Sequence, residues 1–106
     1  MDWKVEFYEE AIKDINKLDK AVQKQVMAGI QKVKTNPLPT TEGGYGKPLG
    51  NHGGIKLSGC YKIKFRDSGI RVVYKTDNEN GVMVIIIVSV RADNYVYEQA
   101  RLRTEK

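Results

Sequence analysis

Between Val82 and Val88 every residue is apolar, and Ser89 is the sole polar break before Val90. Seven residues fall far short of the roughly 20 that a membrane-spanning helix needs. Side chains of a strand point alternately to its two faces. A strand with no polar position is therefore central in its sheet and covered on both sides. The turn sequence Asp77-Asn78-Glu79-Asn80-Gly81 stands directly before the run and marks where the chain reverses into it. The chain that must supply this cover has 106 residues. That is one domain, 1–106, burying roughly two-thirds of its unfolded surface. Hydrophobic residues at 41% and charged residues at 29% exclude a disordered chain. The start Met1-Asp2-Trp3-Lys4-Val5 carries no apolar secretory segment, and a single cysteine forbids an internal disulfide. The expected compartment is the cytoplasm, with no membrane partner.

Upstream of that strand, Trp3, Val5 and Phe7 alternate with Lys4, Glu6 and Tyr8, the period of a half-buried strand. Over Glu9–Leu18, Ala11, Ile12, Ile15 and Leu18 recur at helical spacing. A second helix, Lys20–Thr35, carries Val22, Val26, Gly29, Ile30 and Val33 as its apolar stripe, with Asp19 as N-cap and Asn36-Pro37 as stop. The short join makes these two an antiparallel hairpin. Asn36 to Gly54 holds all three prolines and six of the ten glycines, and reads as a long surface loop. Its Gly43-Gly44-Tyr45-Gly46-Lys47 invites comparison with a phosphate-binding loop, but the Walker spacing and the strand-then-helix context are absent. Strands follow at Ile55–Arg66, Ile70–Thr76 and Gly81–Val90. A last helix, capped by Asp93 or Asn94, runs towards Arg103 with Val96, Ala100 and Arg103 on one side. The expected order is β-α-α-β-β-β-α, an α+β domain with a helical hairpin packed on a small, mostly antiparallel sheet.

The net charge of +5 is unevenly placed. Residues 1–41 hold seven Lys and six Asp/Glu, residues 42–55 one of each sign, and residues 56–106 ten Lys/Arg and six Asp/Glu. A polyanion site therefore belongs to the C-terminal half. Within it, Lys62, Lys64 and Arg66 alternate with Tyr61, Ile63 and Phe65. With Ser68-Gly69 as a two-residue turn, Arg66 faces Arg71 and Lys64 faces Val73. Lys62, Lys64, Arg66, Arg71 and Lys75 then share one face, and Tyr61, Ile63, Phe65, Val72 and Tyr74 form core on the other. Like charges opposed across strands work against folding, and with no compensating acid on that face the arrangement points to function. Two lysines at i and i+2 repel each other's charge, which favours a neutral amine able to act as a general base. Arginines beside them stay charged and can hold a phosphorane by bidentate contacts. Together these are the parts for phosphodiester chemistry without a metal.

On these residues the chain resembles the RelE family of bacterial toxin–antitoxin ribonucleases. The matches are Cys60–Tyr74, with Tyr61-Lys62-Ile63-Lys64 and Ser68-Gly69-Ile70-Arg71-Val72-Val73-Tyr74, and the tail Val88-Ser89-Val90-Arg91 followed by Val96-Tyr97-Glu98. The resemblance implies a toxin that binds the ribosomal A site and cuts mRNA there by attack of the 2′-hydroxyl on the adjacent phosphate. It needs no cofactor or metal, and a cognate antitoxin holds it in a hetero-oligomer. It implies that Lys62 and Lys64 activate the 2′-hydroxyl and hold the phosphate and that Arg71 clamps the phosphate. By the same resemblance Arg91 stabilises the transition state and Tyr97 stacks on a base. Arg66 and Lys75 join as RNA-binding residues. Arg91 is followed here by Ala92-Asp93-Asn94, where the family carries further basic residues, and Tyr95 competes with Tyr97 for the stacking role. Two rival readings share the fold class: a ParE-like toxin that inhibits DNA gyrase without nuclease activity, and a non-catalytic RNA-binding module.

The remaining candidates read as ordinary structure. His52, the single histidine, is expected as an exposed loop residue, and Cys60 as a small half-buried side chain rather than a nucleophile. Trp3 reads as core or edge packing. Lys13, Lys17, Lys20 and Lys24 read as a solvated helix face balanced by nearby acids. No ligand cluster suggests a metal.

Overall fold

The computed structural model describes residues 3–52 and 55–105. In chain order the elements are β1 (Lys4–Phe7), α1 (Glu9–Asn16), α2 (Lys20–Val33), a 3₁₀ turn (Thr40–Glu42), β2 (Lys47–His52), β3 (Ile55–Lys64), β4 (Arg71–Asp77), β5 (Val82–Ser89) and α3 (Asp93–Thr104). Among the described residues the strands form one sheet in the order β1-β5-β4-β3-β2. β1 runs parallel to β5, and the other neighbours are antiparallel.

The apolar run is β5, and it is interior, paired on both edges and covered on both faces. On one face Met83, Ile85 and Val88 join Val72 and Tyr74 of β4 against Ala11, Val26, Ile30 and Val33 of the helical hairpin. On the other face Ile86 and Ile87 join Val73 and Cys60 against Val96, Tyr97 and Ala100 of α3. Val72, Val73 and Tyr74 are consecutive and each 0% exposed, so β4 is buried on both faces as well. A register shift between Val73 and Tyr74 in the β4–β5 ladder marks where the two strands fall out of step.

The hairpin is tied down by side chains that sequence reading passes over. Gln23 Nε2 donates to the carbonyls of Ile15 and Leu18, satisfying the end of α1. Asp14 accepts the Val88 amide at 3.1 Å and the Arg103 guanidinium at 2.8 Å, so α1, β5 and α3 meet at one carboxylate. Gly29 stands where a Cβ would come within 2.4 Å of the Phe65 ring, which lets α2 lie directly on the start of the β3–β4 loop. Lys13, Lys17, Lys20 and Lys24 are exposed. No helix among the described residues is long and apolar enough to cross a membrane.

The structure corrects the expected surface loop. Its second half is the strand β2, paired antiparallel with β3. Pro48 and Gly50 concealed it, because prolines are excluded from interior strands; β2 tolerates both as an edge strand with a register break between them. The first half is a closed turn in which Tyr45 and Gly46 amides donate to Asn36 and Leu38 carbonyls. Gly53, Gly54 and the His52 side chain lie outside the described residues.

A second correction concerns caps. Asp19 is the N-cap of α2 but makes no side-chain cap bond. Ala92, not Asp93 or Asn94, is the N-cap of α3.

Candidate functional site

The predicted hairpin forms with a different register. Lys64 pairs with Arg71 and Lys62 with Val73, a shift of two residues from the expected pairing of Arg66 with Arg71. Because strand side chains alternate with period two, a two-residue shift leaves the face of every residue that stays in the two strands unchanged. The turn widens to Arg66-Asp67-Ser68-Gly69, closed by Phe65 and Ile70 and by the Gly69 amide on the Phe65 carbonyl. Gly69 takes φ +74°, a conformation that L side chains rarely adopt. Arg66 consequently leaves the strand face and sits exposed in the loop.

Lys62, Lys64 and Arg71 therefore share the face that α3 partly covers. β2 adds a cation that sequence reasoning missed, since Lys47 pairs directly with Lys62. Directly opposed antiparallel residues project from the same face, so Lys47 extends the charged row. On the far side of Arg71 stands Ser89, two residues before Arg91. Arg71 Nη1 donates to the carbonyl of Arg91 at 2.9 Å and to that of Gly69 at 3.2 Å, so the guanidinium is aimed by the backbone. A small cavity of about 140 Å³ lined by Lys64, Arg66, Gly69 and Arg71 opens beside it. The larger hollow of about 670 Å³, near Trp3 and Lys34, lies at the β1 edge and touches none of the predicted site residues.

The expectation that the cationic face is uncompensated is corrected by Asp93. As the first residue of α3 it carries its carboxylate onto Arg71 Nε, and its second oxygen accepts from Lys64 Nζ at 3.4 Å. Burial pushes the Asp93 carboxyl up, but the bonds from Arg71 and Lys64 outweigh it and hold the group below its ordinary range. The sequence pattern marks Asp93 as a helix cap. The signal that could have found it is an acid two residues after Arg91.

The aromatic residues separate clearly. Tyr97 is 0% exposed, packed with Val73, Ile86 and Ala100, which corrects the expectation that its ring is open for stacking. Burial, and next the Asp93 carboxylate, push its phenol up, while Lys64 and Arg71 act the other way. Tyr97 thus forms the floor beneath the cations. Tyr95 is 42% exposed, and the Arg91 guanidinium lies 4.3 Å from its ring centroid. Lys75 lies four residues along β4 from Arg71, with its ammonium 2.9 Å from the Tyr8 hydroxyl. Cys60 is buried, and burial raises its thiol with Lys75 opposing, which disfavours the thiolate a nucleophile needs.

Set beside known proteins, the chain matches over residues 5–95 the family described as the ParE toxin of the type II toxin–antitoxin system parDE. It is 37% identical over 103 residues to a RelE-like toxin protein of Escherichia coli, covering 97% of this chain and 98% of the relative. It is 32% identical over 100 residues to the mRNA interferase toxin RelE of Escherichia coli strain K12, covering 94% and 95%. Among solved structures, a variant of the Escherichia coli toxin RelE in complex with a peptide of antitoxin RelB superposes with a TM-score of 0.71. That match has 31% identity and covers 94% of this chain and 95% of the other.

Proposed function

The chain belongs to the RelE/ParE superfamily of type II toxin–antitoxin toxins, and from that membership we propose that it is a ribosome-dependent, metal-independent endoribonuclease that cuts mRNA in the A site. Residues 1–106 act as one toxin domain in the cytoplasm, held by a cognate antitoxin in a hetero-oligomer. The observation that carries the reading is the cross-strand pair Lys64–Arg71 with Lys62 one step along the same face.

The chemistry follows from that geometry. Lys62 stands opposite another cation, Lys47, whereas Lys64 stands against a carboxylate, so the proton-accepting role falls to Lys62. It takes the proton of the 2′-hydroxyl, whose oxygen attacks the adjacent phosphorus. The bond to the 5′ oxygen breaks, leaving a 2′,3′-cyclic phosphate and a 5′ hydroxyl that is protonated by solvent. Lys64 and Arg71 hold the non-bridging oxygens, and Arg91 faces the charge that develops on the leaving oxygen. Arg91 acts by charge, since a guanidinium hardly releases its proton. Arg66, exposed on the hairpin loop, meets the backbone of the flanking nucleotides, and Lys75 extends the field of the same sheet face. In-line attack requires an unstacked, oriented base. Tyr95, already at the surface, provides the platform, with Tyr97 beneath as support for the cations.

Primer extension on mRNA in a translating extract tests the reading. Cuts within A-site codons support it; intact mRNA together with inhibited DNA gyrase would replace it with the ParE-like alternative, which the family match makes the specific rival. RNA bound but never cut would leave the non-catalytic module.

A further inference from the structure

We propose that Asp93 is a resident counter-ion of the phosphate seat, a carboxylate that an RNA phosphate has to displace before Lys64 and Arg71 can hold it. This rests on the reading of that pair as the phosphate-holding residues. The Asp93 oxygens occupy the donors an incoming phosphate needs, Arg71 Nε and Lys64 Nζ. Arg71 does not need Asp93 to be aimed, because its Nη1 is already bonded to the carbonyls of Gly69 and Arg91. Nor does α3 need Asp93 for its cap, which falls on Ala92 with no side-chain cap bond. The packing of Val96, Tyr97 and Ala100 and the Arg103–Asp14 pair hold the rest of α3. What the carboxylate does supply is one negative charge within the row formed by Lys47, Lys62, Lys64 and Arg71.

The consequence is a change in how binding responds to salt. A bare cation binding a phosphate releases a condensed counter-ion, and for single strands each such contact steepens log K against log salt by about 0.7. A cation already neutralised by Asp93 releases the protein's own carboxylate instead. The wild-type chain therefore binds RNA more weakly at low salt, and with a flatter salt dependence, than its cation count implies. Binding energy from the remainder of the RNA drives Asp93 out, which ties occupancy of the seat to engagement of the longer substrate.

The test uses the full chain and a single-stranded RNA oligonucleotide with 2′-O-methyl sugars, which cannot be cut. Asp93→Asn keeps the shape of the side chain and removes its charge. Glu79→Gln, in the exposed turn far from the site, makes the same change in net charge. The expected result is several-fold tighter binding by Asp93→Asn at low salt and a slope steeper by about 0.7, with Glu79→Gln close to wild type. Inorganic phosphate should also raise the melting temperature of Asp93→Asn more than that of wild type, a readout independent of RNA. Weaker or unchanged binding with an unchanged slope, or an equal effect from Glu79→Gln, overturns the proposal. None of these measurements needs cleavage, so a wild-type chain that cuts no mRNA refutes the proposed activity without touching the comparison.

Discussion

The Asp93 carboxylate closes on Nε of Arg71, joining the first residue of α3 to the first residue of β4. Through that contact the helix that covers one face of the sheet also reaches into the charged row, so site and core share a side chain. Its consequences differ for the cations on either side of it.

Arg71 is the residue whose loss should separate activity from folding. Arg71→Ala removes a preorganised donor, and A-site cleavage by primer extension should fall by about 100-fold. Its ion pair is partly exposed, so the thermal-melt penalty should stay near 1 kcal/mol. Arg71→Lys keeps the charge without the planar fork and should recover little of the activity.

Lys62 and Lys64 should respond differently to arginine. An arginine keeps positive charge but cannot accept a proton in this pH range. Lys64→Arg should therefore retain most cleavage. Lys62→Arg should lose on the order of 100-fold, as expected when a general base is removed. Equal effects from the two would refute the division of roles between them.

The two tyrosines can be told apart by stability. Tyr97→Ala empties a fully buried site and should cost about 3–5 kcal/mol in chemical denaturation. Tyr95→Ala should leave the denaturation midpoint within about 0.5 kcal/mol of wild type while lowering cleavage by at least tenfold. Tyr95→Phe retains the ring and should restore it. If Tyr95→Ala cuts normally, the base platform has been assigned to the wrong ring.

Acid should weaken the tie between α3 and the hairpin. Burial raises the Asp93 carboxyl, but the Arg71 and Lys64 bonds more than offset that and leave it below its ordinary value of about 3.9. A group depressed in the folded state stabilises fully above its unfolded pKa and loses that stability as pH falls through the folded one. Melting temperatures of wild type and Asp93→Asn should thus differ by a constant amount above pH 5 and converge below about pH 4.

Gly46 tests whether the proline-rich segment is structured. A Cβ there would lie 2.6 Å from the Tyr74 hydroxyl and 2.9 Å from the Pro37 carbonyl, the two groups of a buried hydrogen bond. Gly46→Ala should cost about 1–3 kcal/mol by denaturant titration, as overpacking does. A cost near zero would mean that the turn yields freely.

Much of the architecture follows from local pattern, because period and polarity act over a few residues. Helical spacing placed α1 and α2, turn residues placed the β4–β5 reversal, and an unbroken apolar run identified the interior strand β5. β2 escaped because its Pro48 and Gly50 carry the composition of a loop, and only the pairing with β3 makes an edge strand of them. The hairpin register escaped for a related reason. Ser68-Gly69 suits a two-residue turn, yet Phe65 and Ile70 close a wider one, and the even shift kept Lys62, Lys64 and Arg71 on a common face.

What the sequence by itself determined is which residues of a strand share a face, since alternation along a strand is covalent geometry and survives any even change of register, whereas Arg66 passed from strand to loop with the wider turn. It determined the helix stripes and the position of the buried strand on the same grounds. What only the tertiary structure decided is which charges meet. Lys47 opposite Lys62, Asp93 on Arg71 and Lys64, and Tyr97 beneath the latter two come from segments between 15 and 33 residues apart along the chain. No local signal encodes such encounters, because they depend on how α3 and β2 dock on the sheet once the apolar faces are buried.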